Sequence, residues 1–239
     1  MSRDERNISA VPWVVQALVI VALMGQLHWG MTRGVPTIKV APLPQPPSVS
    51  VLRIMAFGQP EILARVLMLW LQAFDYQPGV SIAFRDLDYA RVEAWLARIL
   101  ELDPRFQYPL LAAARLYGEV AEPDKQRRML DFTARHFRDD PTARWQWMAH
   151  AVYLAKHRLG DLELALALAR ELSRVESAGD IPSWARQMHI FVLEDMGELE
   201  SARILLGGLL ESGEITDPHE QWFLSQRLSE LEQSTNRKE

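Results

Sequence analysis

The sequence predicts an all-α protein: a single transmembrane helix near the N-terminus, then an α-solenoid of stacked helical hairpins. Three observations carry this expectation. Residues 11–31 form an apolar run long enough to cross a bilayer. From Glu61 onward, turn-forming residues punctuate a helical periodicity every ~12–18 residues, the length of short globular helices. One sentence is also written twice, as LGDLELALALAREL at 159–172 and MGELESARILLGGL at 196–209.

The composition suits a folded chain. Of 239 residues, 49% are apolar and 24% charged, so the bulk of the chain is expected to be ordered. A net charge of −5 argues against a general nucleic-acid binder, and no nucleic-acid partner is expected. The chain has no cysteine, which removes disulfides, thiolate metal sites and cysteine nucleophiles; this suits an oxidising compartment without requiring one.

Within 11–31 only Gln16, Gln26 and His28 are strongly polar. At about 1.5 Å per residue, the run spans about 30 Å as a helix, the thickness of a hydrocarbon core. Trp13 and Trp29 stand near its two ends, where indole rings favour the membrane interface. A cleaved signal peptide would have a shorter apolar region and a small-x-small site, and MGQLHWGM offers none. A buried soluble helix is the other reading, but residues 11–24 contain almost nothing for a wet face. Arg3 and Arg6 precede the run and Arg33 and Lys39 follow it, so the flanking charges nearly balance. The free amino terminus tips the expectation toward an inside N-terminus and a periplasmic helical domain.

The expected organisation is therefore a tail over 1–10, an anchor over 11–31, a proline-rich linker over 32–58 and a helical repeat domain over 59–239. In the linker, Pro36, Pro42, Pro44, Pro46 and Pro47 disfavour helix and sheet ladders and point to a polyproline spacer; a proline-rich recognition motif is the other reading. In the repeat domain the breakers are QPG (77–79), DP (103–104), EPD (122–124), DDP (139–141), GD (160–161), GDIP (179–182), GE (197–198) and SGEITDP (212–218). Only GVSIAF at 79–84 reads as extended, and 218–233 reads as a final amphipathic helix that caps the array.

Set without gaps, residues 147–172 and 184–209 agree at seven of 26 positions, enough to define a repeat whose glycines, Gly160 and Gly197, lie 37 residues apart. Each glycine supplies a chain reversal, and the following acid, Asp161 or Glu198, sits where a helix dipole favours it. Ala165 and Ala202 mark where two helices approach closely. A hairpin of this kind cannot bury its apolar face alone; stacked copies share a continuous core.

The Gly-acid turn, the alanine five residues after the glycine, and the closing prolines Pro104 and Pro141 resemble the tetratricopeptide-repeat (TPR) family over residues 86–212. The 37-residue spacing departs from that family's 34, and Leu206 and Leu209 are bulkier than its usual residues. The resemblance implies a right-handed solenoid whose first helices line a peptide-binding groove. Registered on Gly160 and Gly197, the groove positions would be Trp147, His150, Leu154 and His157, then Trp184, Gln187, Phe191 and Glu194. Each set follows i, i+3, i+7, i+10, one helix face; a buried apolar stripe has the same spacing.

No catalytic or metal constellation is recognisable. HExxH, GxSxG, GxxxxGK[ST] and GxGxxG are all missing from the sequence, so neither an enzyme nor a cofactor is expected. The basic stretch DKQRRML (124–130) with Arg135 and Arg138 reads as a solvated face rather than a phosphate site. Asp86-x-Asp88 reads as a helix cap, and Gly207-Gly208 as a close helix approach. The function these features imply is a membrane-anchored scaffold or adaptor that binds another protein or peptide in a membrane or envelope complex. The alternative is a permanently packed subunit of such a complex; an enzyme is a minor third.

Overall fold

The computed structural model describes residues 11–32, 41–77, 80–175, 181–213 and 215–236. The expected tail over 1–10 and the flanking charges Arg3, Arg6, Arg33 and Lys39 lie outside the described residues. The chain divides into two units, Met1–Val40 with Pro78–Val80, and Ala41–Gln77 with Ser81–Glu239.

In the first unit, α1 (Trp13–Thr32) is a 20-residue helix with no buried residue. It is long and apolar enough to cross a membrane. No charged residue falls within it, so nothing in its sequence marks a water-facing stripe.

The second unit is almost wholly helical. Its helices are α2 (Val49–Met55), α3 (Pro60–Gln72), α4 (Tyr89–Leu102), α5 (Tyr108–Arg115), α6 (Pro123–Phe137), α7 (Pro141–Leu154), α8 (Leu162–Ser173), α9 (Ser183–Asp195), α10 (Leu199–Glu211) and α11 (Pro218–Asn236). Of the stretch expected to be extended, Val80–Ser81 is a strand. The helix starts follow local chemistry. Pro60, Pro123, Pro141 and Pro218 take the first helical position, where a missing N–H costs nothing. Pro141, read from the sequence as closing a repeat, thus opens the helix that follows α6. Asp88 caps α4 by accepting from Ala90 and Arg91 N–H, as the capping reading of Asp86-x-Asp88 expects for one of its two acids. Asp161 caps α8 by accepting from Leu164 N–H at 2.8 Å.

Helices pack chiefly against the next helix and the next but one, as in α7 with α8 and α9, or α5 with α6 and α7. The apolar interior follows the chain as two clusters. One runs from Leu43 to Phe132 and the other from Leu130 to Leu231, so both draw on α6. Fully buried alanines mark the close approaches: Ala112, Ala151, Ala165, Ala169, Ala185 and Ala202 expose nothing. Arg144, itself buried, ties two turns together by donating to the carbonyls of His136 and Pro104.

Two further expectations need correction. The stretch 32–58 is not a free spacer throughout: from Ala41 it lies on the helical unit. Leu43 and Leu52 are in the core, Trp95 Nε1–H donates to the Pro44 carbonyl at 2.8 Å, and residues 49–55 are helical. Prolines interrupt a ladder but leave carbonyls free, and here Arg91 and Trp95 take those of Leu43 and Pro44. Gly207-Gly208 is not a close approach either, since a methyl group on either would meet nothing within 4 Å. Gly208 borders an open cavity of about 360 Å³ beside α9 instead.

The repeated glycines do what the repeat implies. Gly160 and Gly197 have φ of 68° and 79°, and added methyl groups would touch nothing. Any cost of substitution therefore lies in the backbone. We expect Gly160→Ala to destabilise the chain by about 1–2 kcal/mol, the penalty of a left-handed L-residue. Gly160→Asn should recover most of that loss, and thermal unfolding followed by circular dichroism in lipid nanodiscs would measure both.

Candidate functional site

The helices that carry the predicted groove, α7 and α9, are the first helices of the two repeats, and α11 follows them in the equivalent place. Side chains 33 to 40 residues apart meet on these helices. Trp147 Nε1–H donates to Gln107 Oε1, Gln187 to Glu220, and Ser183 to Glu220.

The eight predicted positions separate by burial. On α7, Leu154 is 1% exposed and belongs to the core, and half-buried Trp147 packs against the N-terminal cluster. His150 is half-buried and His157 is exposed. On α9, Trp184 is 52% exposed, edge-on to Trp145 with centroids 5.6 Å apart. Gln187 is buried on Glu220, Phe191 faces Phe223 at 6.4 Å, and Glu194 pairs with Arg227. The inner half of the α9 stripe is therefore occupied by α11. A helix face wide enough to hold both a core edge and a solvent edge cannot be divided by spacing alone.

The outer edge of α7 keeps two predicted positions, His150 and His157, and has Tyr153 in place of the buried Leu154. His150, Tyr153 and His157 make a continuous ladder, with ring centroids 5.8 Å and 4.8 Å apart. Tyr153 stands outside the predicted set, although its i, i+3, i+7 spacing with the two histidines is visible in the sequence. The last ring of the ladder, His157, lies in a π turn, Ala155–Leu159, that ends at Gly160. Lys156 then reaches Asp195 of α9. Trp222 and Phe223 continue the exposed aromatics onto α11.

Burial and the nearby Arg115 charge push the His150 pKa down, against the pull of Glu119, whose carboxylate is 3.6 Å away. Burial also lowers His189, which lies beside the cavity on α9 with its ring held 2.8 Å from the Arg186 carbonyl. Among the described residues, no group of three or more His, Asp or Glu could hold a metal ion.

The basic stretch on α6 is engaged in ion pairs to neighbouring helices. Arg128 and Arg135 share Glu93 of α4, Arg127 meets Asp161 and Arg138 meets Glu171. Water and salt screen such exposed pairs, so they serve register more than stability.

The chain matches no protein-family model, and no curated protein or solved structure matches it.

The two histidines make stability depend on pH. Their folded pKa values lie below the ordinary 6.5, so the unfolded chain binds more protons as the pH drops through that value. Their contribution is complete above about 6.5 and is lost below it, toward the lowered folded values. The melting temperature should therefore fall between about pH 7.5 and 5.5, and His150→Gln/His189→Gln should shrink that fall. Melts of both proteins in nanodiscs at the two pH values would check it.

Proposed function

We propose that this chain is a membrane-tethered, TPR-like scaffold that binds another protein or peptide along the first helices of its hairpins. The carrying observation is the exposed aromatic series on α7, α9 and α11: Tyr153, Trp184, Trp222 and Phe223 remain open to solvent on helices whose other faces are packed. Aromatic side chains on a rigid frame are the residues that dominate protein–protein affinity. Support for the TPR-like arrangement comes from the left-handed Gly160 and Gly197, the buried Ala165 and Ala202, and the Ser183–Glu220 contact 37 residues apart, and a right-handed course is what the family resemblance implies.

Tethering by α1 would raise the local concentration of a weak binder near its target, and a periplasmic domain is the orientation we favour. An anchored chain should stay in the membrane pellet after alkaline carbonate washing, with its N-terminal segment still present by mass spectrometry. Release of the chain, or loss of residues 11–32, would instead indicate peripheral attachment or a cleaved leader.

The binding reading is tested by crosslinking in native membranes. We expect Tyr153→Ala/Trp184→Ala to lose a defined crosslinked partner while keeping its helical circular dichroism, with Glu163→Ala on exposed α8 surface as the control. Retention of every crosslink by the aromatic variant would move the interaction to another face. A permanently packed subunit is the second reading, favoured by Ile204 and Leu205, apolar side chains left exposed on α10. It predicts co-purification in a stable complex that survives the same aromatic substitutions.

A further inference from the structure

The most apolar exposed surface of the helical unit is not on the repeats but at its beginning. On α3, Ala64, Met68 and Leu71 face the core, as an amphipathic helix requires. Its other side should then be polar. Instead Ile62, Val66 and Leu69 are exposed, at the i, i+4, i+7 spacing of a single stripe. On α2, Leu52 is buried while Val51, Ile54 and Met55 are exposed. The two helices meet at an angle of 107°. At that corner Phe57 is 93% exposed and held at φ 49°, the one non-glycine residue with positive φ among the described residues. A bulky side chain in the left-handed region is a local strain, and here it projects an aromatic ring into water.

We propose that the α2–α3 corner is a lipid-docking surface, which lies on the bilayer with Ile54, Phe57, Ile62, Val66 and Leu69 at the headgroup–acyl boundary. This rests on the reading of α1 as a membrane anchor. Three observations favour lipid over a second copy of the chain or a protein partner.

The first is reach. Ala41 is fixed to the helical unit by paired 2.9 Å hydrogen bonds with the Gln77 side chain, and Leu43 lies in the core that holds α2 and α3. Only residues 33–40 separate this attachment from the end of α1 at Thr32. Whatever path they take, they extend at most about 30 Å. An α1 within the bilayer thus limits how far this attachment can stand from the membrane surface.

The second is shape. A stripe of two turns, followed by a sharp corner, gives a short and bent apolar surface. A stable dimer needs about 800 Å² from each partner and a seam that both copies can follow. A bilayer interface accepts a bent surface and rewards an aromatic ring that projects from it. The third is composition. Residues 49–72 carry only Arg53, Glu61 and Arg65 as charges, in a chain of net charge −5, while Trp70 and Tyr76 are exposed where interfacial aromatics would sit.

The chain's lack of cysteine makes the test direct. Single cysteines replacing Ile62, Val66 or Leu69 would carry a nitroxide in the full-length protein, reconstituted in vesicles of phosphatidylcholine with a minority of phosphatidylglycerol. Val19→Cys on α1 reports the anchor, and Glu163→Cys on α8 reports a surface in water. Electron paramagnetic resonance then compares collisions with oxygen, which enriches in lipid, and with a water-soluble nickel chelate. We expect the oxygen-to-chelate ratio on α3 to exceed that at Glu163 several-fold. A ratio on α3 equal to that at Glu163 overturns the docking, and with a lipid-like label at Val19 the anchor stands without it. Dipolar broadening on α3 that disappears on dilution with unlabelled chain also overturns it, in favour of a second copy. A water-like label at Val19 overturns the anchor reading, whatever the α3 labels report.

Discussion

Close approach between neighbouring helices is the constraint on which the helical unit depends. Most of its helices are too short to be stable alone in water, so each must bury its stripe against the helices before and after it. The alanines make that possible. With Ala112, Ala151, Ala165, Ala169, Ala185 and Ala202 fully buried, helix axes can approach while larger residues such as Met148, Leu168 and Leu172 fill the space between them. The core then follows the chain as two clusters that both draw on α6.

The polar contacts follow the same order. Arginines of α6 reach acids on α4 and α8, while Glu194 and Gln187 of α9 reach Arg227 and Glu220 of α11. These contacts add register to a fold whose apolar contacts are forgiving. They also define what is left over. Helices α7, α9 and α11 retain an aromatic edge that the helices packed against them leave uncovered, and the α2–α3 corner is exposed because no hairpin precedes it in the unit. The two candidate surfaces thus arise from different causes, one from an unfilled edge and one from an unstacked end.

Much of the fold is legible in the sequence. The prolines at helix starts, the acids after glycine and the repeat itself act through backbone chemistry that is local. The candidate site is legible only in part. Trp184 and His157 are exposed as a groove would need, but Leu154 and Gln187 are buried, and Tyr153 joins the exposed edge from outside the predicted register. The stripe of a helix is about as wide as the boundary between its core and its surface, so spacing places residues on a side without saying which of them water reaches.

The sequence by itself determined that the chain is helical, where its turns fall, and that one segment is long and apolar enough for a membrane. Each follows from interactions within a few residues. Only the tertiary structure decided that residues 41–58 belong to the helical unit, that α11 covers the inner half of the α9 stripe, and that α3 is apolar on both sides with one of them exposed. These depend on which distant segment arrives at a face. Apolar burial is non-directional, so the same apolar residue satisfies a core, a partner or a lipid surface until its neighbours are in place.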